Sequence, residues 1–310
     1  MHRLPDDLNV RPRMREDGFS LVLVLLVVGA LSLASVLFLQ TVRGYSRTAA
    51  SAVSVSMLEA YADAGVQIAI LDLASSARDG RRTRRVAIDG TPFLCTPGGG
   101  VALRLRVQDD AGRVDLNVAS DRLIQALVRG LPIEKPEAVA DAILDYRDSD
   151  NDRRPSGAEA EDYAKAGRTH GPRNAAFLSI EELGQVLGVG PGALALLRPH
   201  LTLNSGLEGL DAAVARPDLV EIIVRGDAGG RALSGPSLGA RPSLPQEMSS
   251  TSMRRTFTIE ADARTAAARY VRQAAIELTS SRTRPYIVRG WTRGEADGSA
   301  YEEAAALPPC

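Results

Sequence analysis

Between Gly18 and Arg43 the chain carries twenty-four consecutive uncharged residues, Phe19 to Val42, and their centre, Leu21 to Val28, is unbroken Leu and Val. A helix needs about 20 apolar residues to cross a bilayer, so this run is long enough to span. Everything after it then lies on one side of the membrane. Arg11, Arg13 and Arg15 precede the run, while Arg43 and Arg47 follow it. This basic excess orients the N-terminus toward the cytoplasm. A secretory signal has a shorter apolar region and a small-residue cleavage site, for which only Ala34-Ser35 offers itself. A plain signal anchor fits the length.

The junction carries a third reading. Arg15-Glu16-Asp17-Gly18-Phe19-Ser20, followed at once by the apolar run, resembles the processing site of type IV prepilins. That resemblance implies cleavage after Gly18 by a prepilin peptidase and N-methylation of Phe19, with residues 1–18 as leader. Met14 offers a second start and a leader of five residues. One position departs from major pilins: the fifth residue after the cut is usually Glu, and here it is Leu23. A carboxylate inside the membrane is expensive and persists only when paired. A subunit without it has no terminal amine ahead to neutralise, which implies a place at the end of a fibre.

Roughly 265 residues follow the run, enough for one large domain or two ordinary ones. Aromatics make up only 4% of the chain, so its core must be built from Ala, Leu, Val and Ile. A net charge of −1 gives no long-range attraction for nucleic acid. The helix is expected to continue beyond the membrane to about Ala77, on the order of 90 Å in all. Met57, Tyr61, Ala64, Ile68 and Leu71 recur at helical spacing and define its expected buried face, and Asp79-Gly80 is its expected stop. Residues 85–95 and 101–107, around a Pro-Gly-Gly-Gly turn, read as a hairpin. From 117 to 220 the pattern is helical, with short helices at 120–129, 136–146, 179–187 and 191–197. Pro136 and Pro191 suit first-turn positions, and Ser179 with Glu182 forms a capping-box pattern. Residues 221–252 read as a flexible loop, rich from 226 onward in Gly, Ser and Pro. Residues 254–260 alternate as a strand, 285–291 reads as a last strand, 268–279 fits helix or strand, and 295–310 reads as a loose acidic tail. The fold class is α+β: one long helix on an antiparallel sheet, with a large all-α insert.

In this order, four motifs resemble the minor pseudopilin K family of type II secretion systems. They are Gly18-Phe19 without the Glu, the run Asp110 to Asn117, the run Asp141 to Asp150 continued by Gly157-Ala-Glu159 and Tyr163, and Ser179 to Leu187 followed by Leu197 to Leu203. The resemblance covers most of residues 14–292. It implies a pilin-like domain, residues 43–116 and 253–310, carrying an inserted α-domain at 117–220. It also implies a single-pass protein of the bacterial inner membrane with its C-terminal domain in the periplasm. Its partners would be the minor pseudopilins I and J, at the tip of a pseudopilus that helps export folded proteins. No catalysis and no nucleic-acid partner are expected.

The acidic segment stands without the family. Asp148, Asp150, Asp152 and Glu159 have the 1, 3, 5 and 12 spacing of an EF-hand loop, in which alternating hard oxygens converge on Ca²⁺. Position 6 is Arg153 rather than Gly, and Arg154 adds a second positive charge. A different calcium-loop geometry is therefore expected, built on Asp148, Asp150 and Glu159, with Asp145, Asp152, Glu161 and Asp162 behind them. The alternative is a solvated acidic turn. Related proteins bind calcium in this insert, so the resemblance favours a structural Ca²⁺.

Two cysteines occur, Cys95 and Cys310. An exported domain allows a disulfide between them; one buried and one exposed thiol is the alternative, and sequence separation decides neither. Among rivals, Leu187 to Leu197 resembles a helix-hairpin-helix turn of a membrane-anchored DNA binder. Arg198 is its one nearby cation, whereas DNA affinity rests mainly on phosphate neutralisation. A minor pilin of a type IV pilus is the other rival. His2, His170 and His200 are isolated from one another, and no Ser-His-Asp order stands out.

Overall fold

The computed structural model describes residues 17–78, 84–229, 243–295 and 306–310, with the backbone alone at 17–20, 41–51 and 78. The leader up to residue 16, the expected stop at Asp79-Gly80, residues 230–242 of the expected loop and 296–305 of the tail lie outside the described residues. The chain divides into two compact units, Met1–Ser56 and Met57–Cys310.

In the first unit the described backbone is helical. It belongs to α1, which runs Asp17–Arg78. Leu21–Gln40 is a fully exposed stretch of mean hydropathy 2.9, long and apolar enough to cross a membrane.

The second unit contains the rest of α1, followed by β1 (Phe93–Gly98) and β2 (Val101–Asp109), then β3 (Val114–Asp115). Helices α2 (Asp121–Gly130), α3 (Pro136–Arg147), α4 (Ala160–Lys165) and α5 (Pro191–Leu197) follow, with β4 (Leu201–Thr202) and α6 (Pro217–Asp227) after them. Strands β5 (Thr256–Arg264), β6 (Arg269–Leu278) and β7 (Tyr286–Arg293) complete the order. The five long strands form one antiparallel sheet in the order β1-β2-β5-β6-β7. The helical insert leaves at the end of β2 and returns at the start of β5, and these strands are hydrogen-bonded neighbours with Asp109 opposite Phe257. An insertion at that point leaves the ladder of the sheet unbroken.

The buried face of α1 differs from the expected one. Leu58, Ala62, Val66, Ala69, Ile70 and Leu73 are buried, whereas Met57 and Leu71 are 41% and 69% exposed. Gly65 supplies the reason. A Cβ there would lie 2.8 Å from Leu105 Cδ2 and 3.1 Å from Leu103 Cδ2, so the helix meets the sheet through its smallest residues. Close packing selects Ala62, Gly65 and Ala69 over a bulkier stripe of higher hydrophobicity. At the flank, Arg272 of β6 reaches Glu59 and Asp63 of α1, each at 2.5 Å, and Tyr270 donates to Glu59 at 2.9 Å.

On β5, Asp262 is fully buried and meets three guanidiniums, Arg104 at 2.8 Å, Arg264 at 2.6 Å and Arg269 at 2.9 Å. Burial raises its carboxyl, but hydrogen bonds from Arg264 and Arg269 outweigh this and hold it below the usual range.

Residues 268–279, ambiguous in sequence, form β6 because both edges find partners, β5 and β7. The expected strand at 85–95 begins only at Phe93; before it, Asp89 makes a single bridge to Gln108. The end of the chain is tied down rather than loose. Cys95 and Cys310 form a disulfide with a Cα separation of 5.0 Å, and the Thr96 amide donates to Pro308 O at 2.8 Å.

The insert has its own core, extending from Val114 to Met248. Ser120 caps α2, accepting from the Leu123 amide at 3.4 Å, and Pro136 and Pro191 occupy first turns as expected. The Ser179–Glu182 capping box does not form. Residues 180–185 are a 3₁₀ helix, and Glu182 instead accepts from the Leu178 amide and Arg173, each at 2.7 Å. The 220/221 boundary falls inside α6, and Met248, placed in the expected loop, is fully buried in the insert's core. Helix α6 is held because it crosses α2 with backbone in contact. A Cβ on Gly226 would lie 2.7 Å from Gly130 N and nearer still to Ala126 O.

Candidate metal centre

The acidic segment is positioned by two helices. Helix α3 presents Asp145 from its buried side, and its chain exit carries Asp148; Glu159 stands at the start of α4. Asp145 and Glu159 are buried and Asp148 is half-buried, whereas Asp150 and Asp152 are exposed. Tyr163 locks α4 in place, its hydroxyl accepting from the Leu187 amide at 3.0 Å. Gly157 allows the loop to close over Asp145, since a Cβ there would sit 2.8 Å from Asp145 Cγ and closer to Oδ2.

The charges are only partly balanced. Arg154 reaches into the cluster, with its guanidinium 3.3 Å from Asp145, 3.7 Å from Asp148 and 2.9 Å from Asp121. Asp148 Oδ1 and both carboxylate oxygens of Glu159 are buried without a hydrogen bond of good geometry. Burial raises the carboxyls of Asp145, Asp148 and Glu159 above their usual range. Repulsion adds to this: Asp148 raises Asp145, Asp150 and Asp121 raise Asp148, and Asp145, Asp148 and Asp150 all raise Glu159.

The EF-hand spacing is not realised as such. Asp152 is exposed, and its amide donates to Asp150 Oδ1 at 2.9 Å in a local turn. Glu161 faces solvent and pairs with Lys165 at 3.4 Å, while Asp162 pairs with Arg153 at 3.7 Å and accepts from the Glu159 amide at 3.1 Å. Asp145, Asp148 and Glu159 share one buried to half-buried patch, and Asp150 acts on Asp148 and Glu159 from the exposed turn. No three acidic, His or Cys side chains are gathered at metal-binding distance among the described residues. The donors nonetheless suit a hard dication, because orphaned buried carboxylate oxygens are what such an ion satisfies.

Two further residues hold this neighbourhood: Asn174, which escaped the sequence reading, and Asp141, which figured there only as the start of the acidic run. Asn174 donates to Asp150 O at 2.6 Å and to Asn151 Oδ1 at 2.9 Å, clamping the acidic turn from a position with φ of 51°. Asp141 accepts from the Ser156 amide at 3.1 Å. Neither lies in a spacing pattern; a non-glycine residue at positive φ leaves no signature beyond being Asn.

Arg198, the one cation near the turn on which the DNA-binding rival rested, pairs with Glu295 at 2.8 Å and Glu181 at 3.7 Å. The residues before its turn are 3₁₀ rather than α-helix. His200 is buried beyond α5, and burial pushes its pKa down.

Residues 104–205 match the family model described as type II secretion system protein K. Over these residues the chain is similar to protein K of type II secretion systems. The acidic turn at 148–159 and its clamp Asn174 both lie inside that stretch. The fold is similar to a chain in the crystal structure of the GspK-GspI-GspJ complex from the enterotoxigenic Escherichia coli type 2 secretion system. The TM-score is 0.56 at 16% identity, over 79% of this chain and 99% of that one. No curated relative matches the chain in sequence. The match thus covers the end of β2 and the insert as far as the residues after β4, and it stops before α6.

Proposed function

We propose that this chain is a minor pseudopilin at the tip of a type II secretion pseudopilus. It is anchored in the bacterial inner membrane by Leu21–Gln40, with the domains after α1 in the periplasm. There it starts assembly with the minor pseudopilins I and J and aids export of folded proteins. The observation that carries this reading is the similarity to protein K over 104–205, in the insert set between adjacent strands of the sheet. A helical insert with a core of its own is too bulky to stack within a fibre, and Leu23 stands where an internal subunit would need Glu. The Cys95–Cys310 bridge suits an oxidising compartment. The exposed stripe Met57, Ala64 and Leu71 on α1 carries no charge and suits the helices of neighbouring subunits. Mass spectrometry of the membrane-extracted protein provides the test. The expected mature chain begins at methylated Phe19, forms only when a prepilin peptidase is present, and copurifies with pseudopilins I and J. An uncleaved chain, or one cut after Ala34 or Ser35, overturns the reading.

Within that role a structural Ca²⁺ would be held by Glu159, Asp148 and Asp150, with Asp145 behind them. The ion would supply positive charge to carboxylates that Arg154 balances only in part. A group whose folded pKa is raised contributes stability below its unfolded pKa and loses it as pH rises through the folded value. Without calcium, the contribution of Asp145, Asp148 and Glu159 is therefore greatest in the acidic range and falls away toward neutral pH. Saturating calcium is expected to raise the melting temperature at neutral pH, and to do so progressively less as pH falls toward 4. Asp148→Ala with Glu159→Ala should abolish the calcium response. A response that survives in the double variant removes these residues from the site.

A further inference from the structure

Strand β7 closes the sheet on one side, and among the described residues it pairs only with β6. In an antiparallel pair, alternate residues of an edge strand direct their N–H and C=O groups away from the neighbour. At 8 residues this edge is long enough to receive a full strand. Its apolar side chains are also uncovered, Ile287 by 38% and Val288 by 43%.

The charges carried by β7 and the loop before it are of one sign, although Glu277 and Glu295 flank them. From Ser280 to Gly294 there are four arginines, Arg282, Arg284, Arg289 and Arg293, and no Asp or Glu. Arg289 is satisfied by Glu277 at 3.0 Å, and Arg293 lies over the Tyr270 ring at 5.1 Å. Arg282 and Arg284 are exposed, with no ion pair among the described residues. Positive charge on an edge opposes pairing of two copies of the same edge. It favours a strand that brings carboxylates.

We propose that β7 is a docking edge for an extended acidic segment of another protein, which adds to the sheet as a sixth strand. Main-chain hydrogen bonds would supply affinity, and Arg282 and Arg284 would select the acidic partner. This inference is independent of the tip role and of the calcium site.

Trp291, the only tryptophan of the chain, lies on β7 and reports on this edge. The full chain in detergent micelles is titrated with the peptide Thr-Glu-Val-Glu-Thr-Glu-Val-Glu while Trp291 fluorescence is followed. Saturable binding is expected. It should weaken at least about tenfold when alternate peptide nitrogens are methylated, which removes main-chain donors and keeps the charge. Arg282→Glu with Arg284→Glu, both exposed and outside the core, should weaken it by a similar factor, and the Lys counterpart of the peptide should not bind. Three results overturn the proposal: no fluorescence change up to about 1 mM peptide, equal binding of the methylated peptide, or equal binding of the Lys peptide.

Discussion

Reducing the Cys95–Cys310 disulfide is expected to remove about 5 kcal/mol of stability, by the chain-entropy relation for a loop of this size. The bridge joins positions separated by 215 residues, nearly the whole second unit of the chain. In the unfolded chain it therefore restricts almost every conformation that the open chain could explore. A local effect adds to it. Cys95 lies in β1, an edge strand of 6 residues, and the last residues bond to that strand through Thr96 and Cys310. Without the bridge, the Thr96 and Cys310 main-chain bonds and the hydrogen bond from Arg85 to Cys310 O must hold the end, and the end frays. The variant Cys310→Ser, denatured by urea and followed through Trp291, should show the loss under non-reducing conditions. Reductant should bring the natural chain to the same midpoint and leave the variant unmoved. A loss below about 1 kcal/mol would mean that the paired strands and the core, rather than the covalent closure, hold the second unit together.

Gly226→Ala is expected to destabilise the insert by about 2–4 kcal/mol, although alanine is the better helix former by about 1 kcal/mol. The added methyl would press on Gly130 N at 2.7 Å and, closer still, on Ala126 O. Both obstacles are backbone and cannot rotate aside. Helices α2 and α6 would have to separate, and Leu123, Leu127, Leu219 and Ile223, all buried in the core of the insert, would lose contact. Gly192→Ala gives the contrast. It also lies in a helix, but nothing stands within 4 Å of its Cβ position. It should be neutral or stabilising by up to about 1 kcal/mol. Thermal melts of the two variants decide the matter. Equal effects would show that α2 and α6 can separate freely.

The acidic turn shows how far spacing carries a site. Asp148, Asp150 and Glu159 stand out in the sequence because alternating carboxylates are the pattern of a hard-cation loop. Asp145 ranked low because it falls outside the 1, 3, 5 and 12 pattern, yet it sits on the inner face of α3 beneath Gly157. Arg154 read as an obstacle to a cation, whereas in the fold it is the counter-charge that allows Asp145 to be buried. Asn174 gave no signal, because its partner is the carbonyl of Asp150, 24 positions away.

The sequence by itself determined what depends on neighbours along the chain. The uncharged run at 19–42 follows from length and hydropathy. The strands around 101–107 and 254–260 follow from alternation, that around 285–291 from its β-branched and aromatic residues, and the first turns at Pro136 and Pro191 from the fixed φ of proline. Only the tertiary structure decided what depends on residues far apart. It chose the small-residue face of α1 over the Met57–Leu71 stripe, because close approach to Leu103 and Leu105 depends on volume rather than hydrophobicity. It kept α6 in the insert through the Gly130–Gly226 crossing, and it brought Cys310 to Cys95. Each of these is a packing choice among surfaces that the chain pattern leaves equivalent, and only the assembled neighbours break the tie.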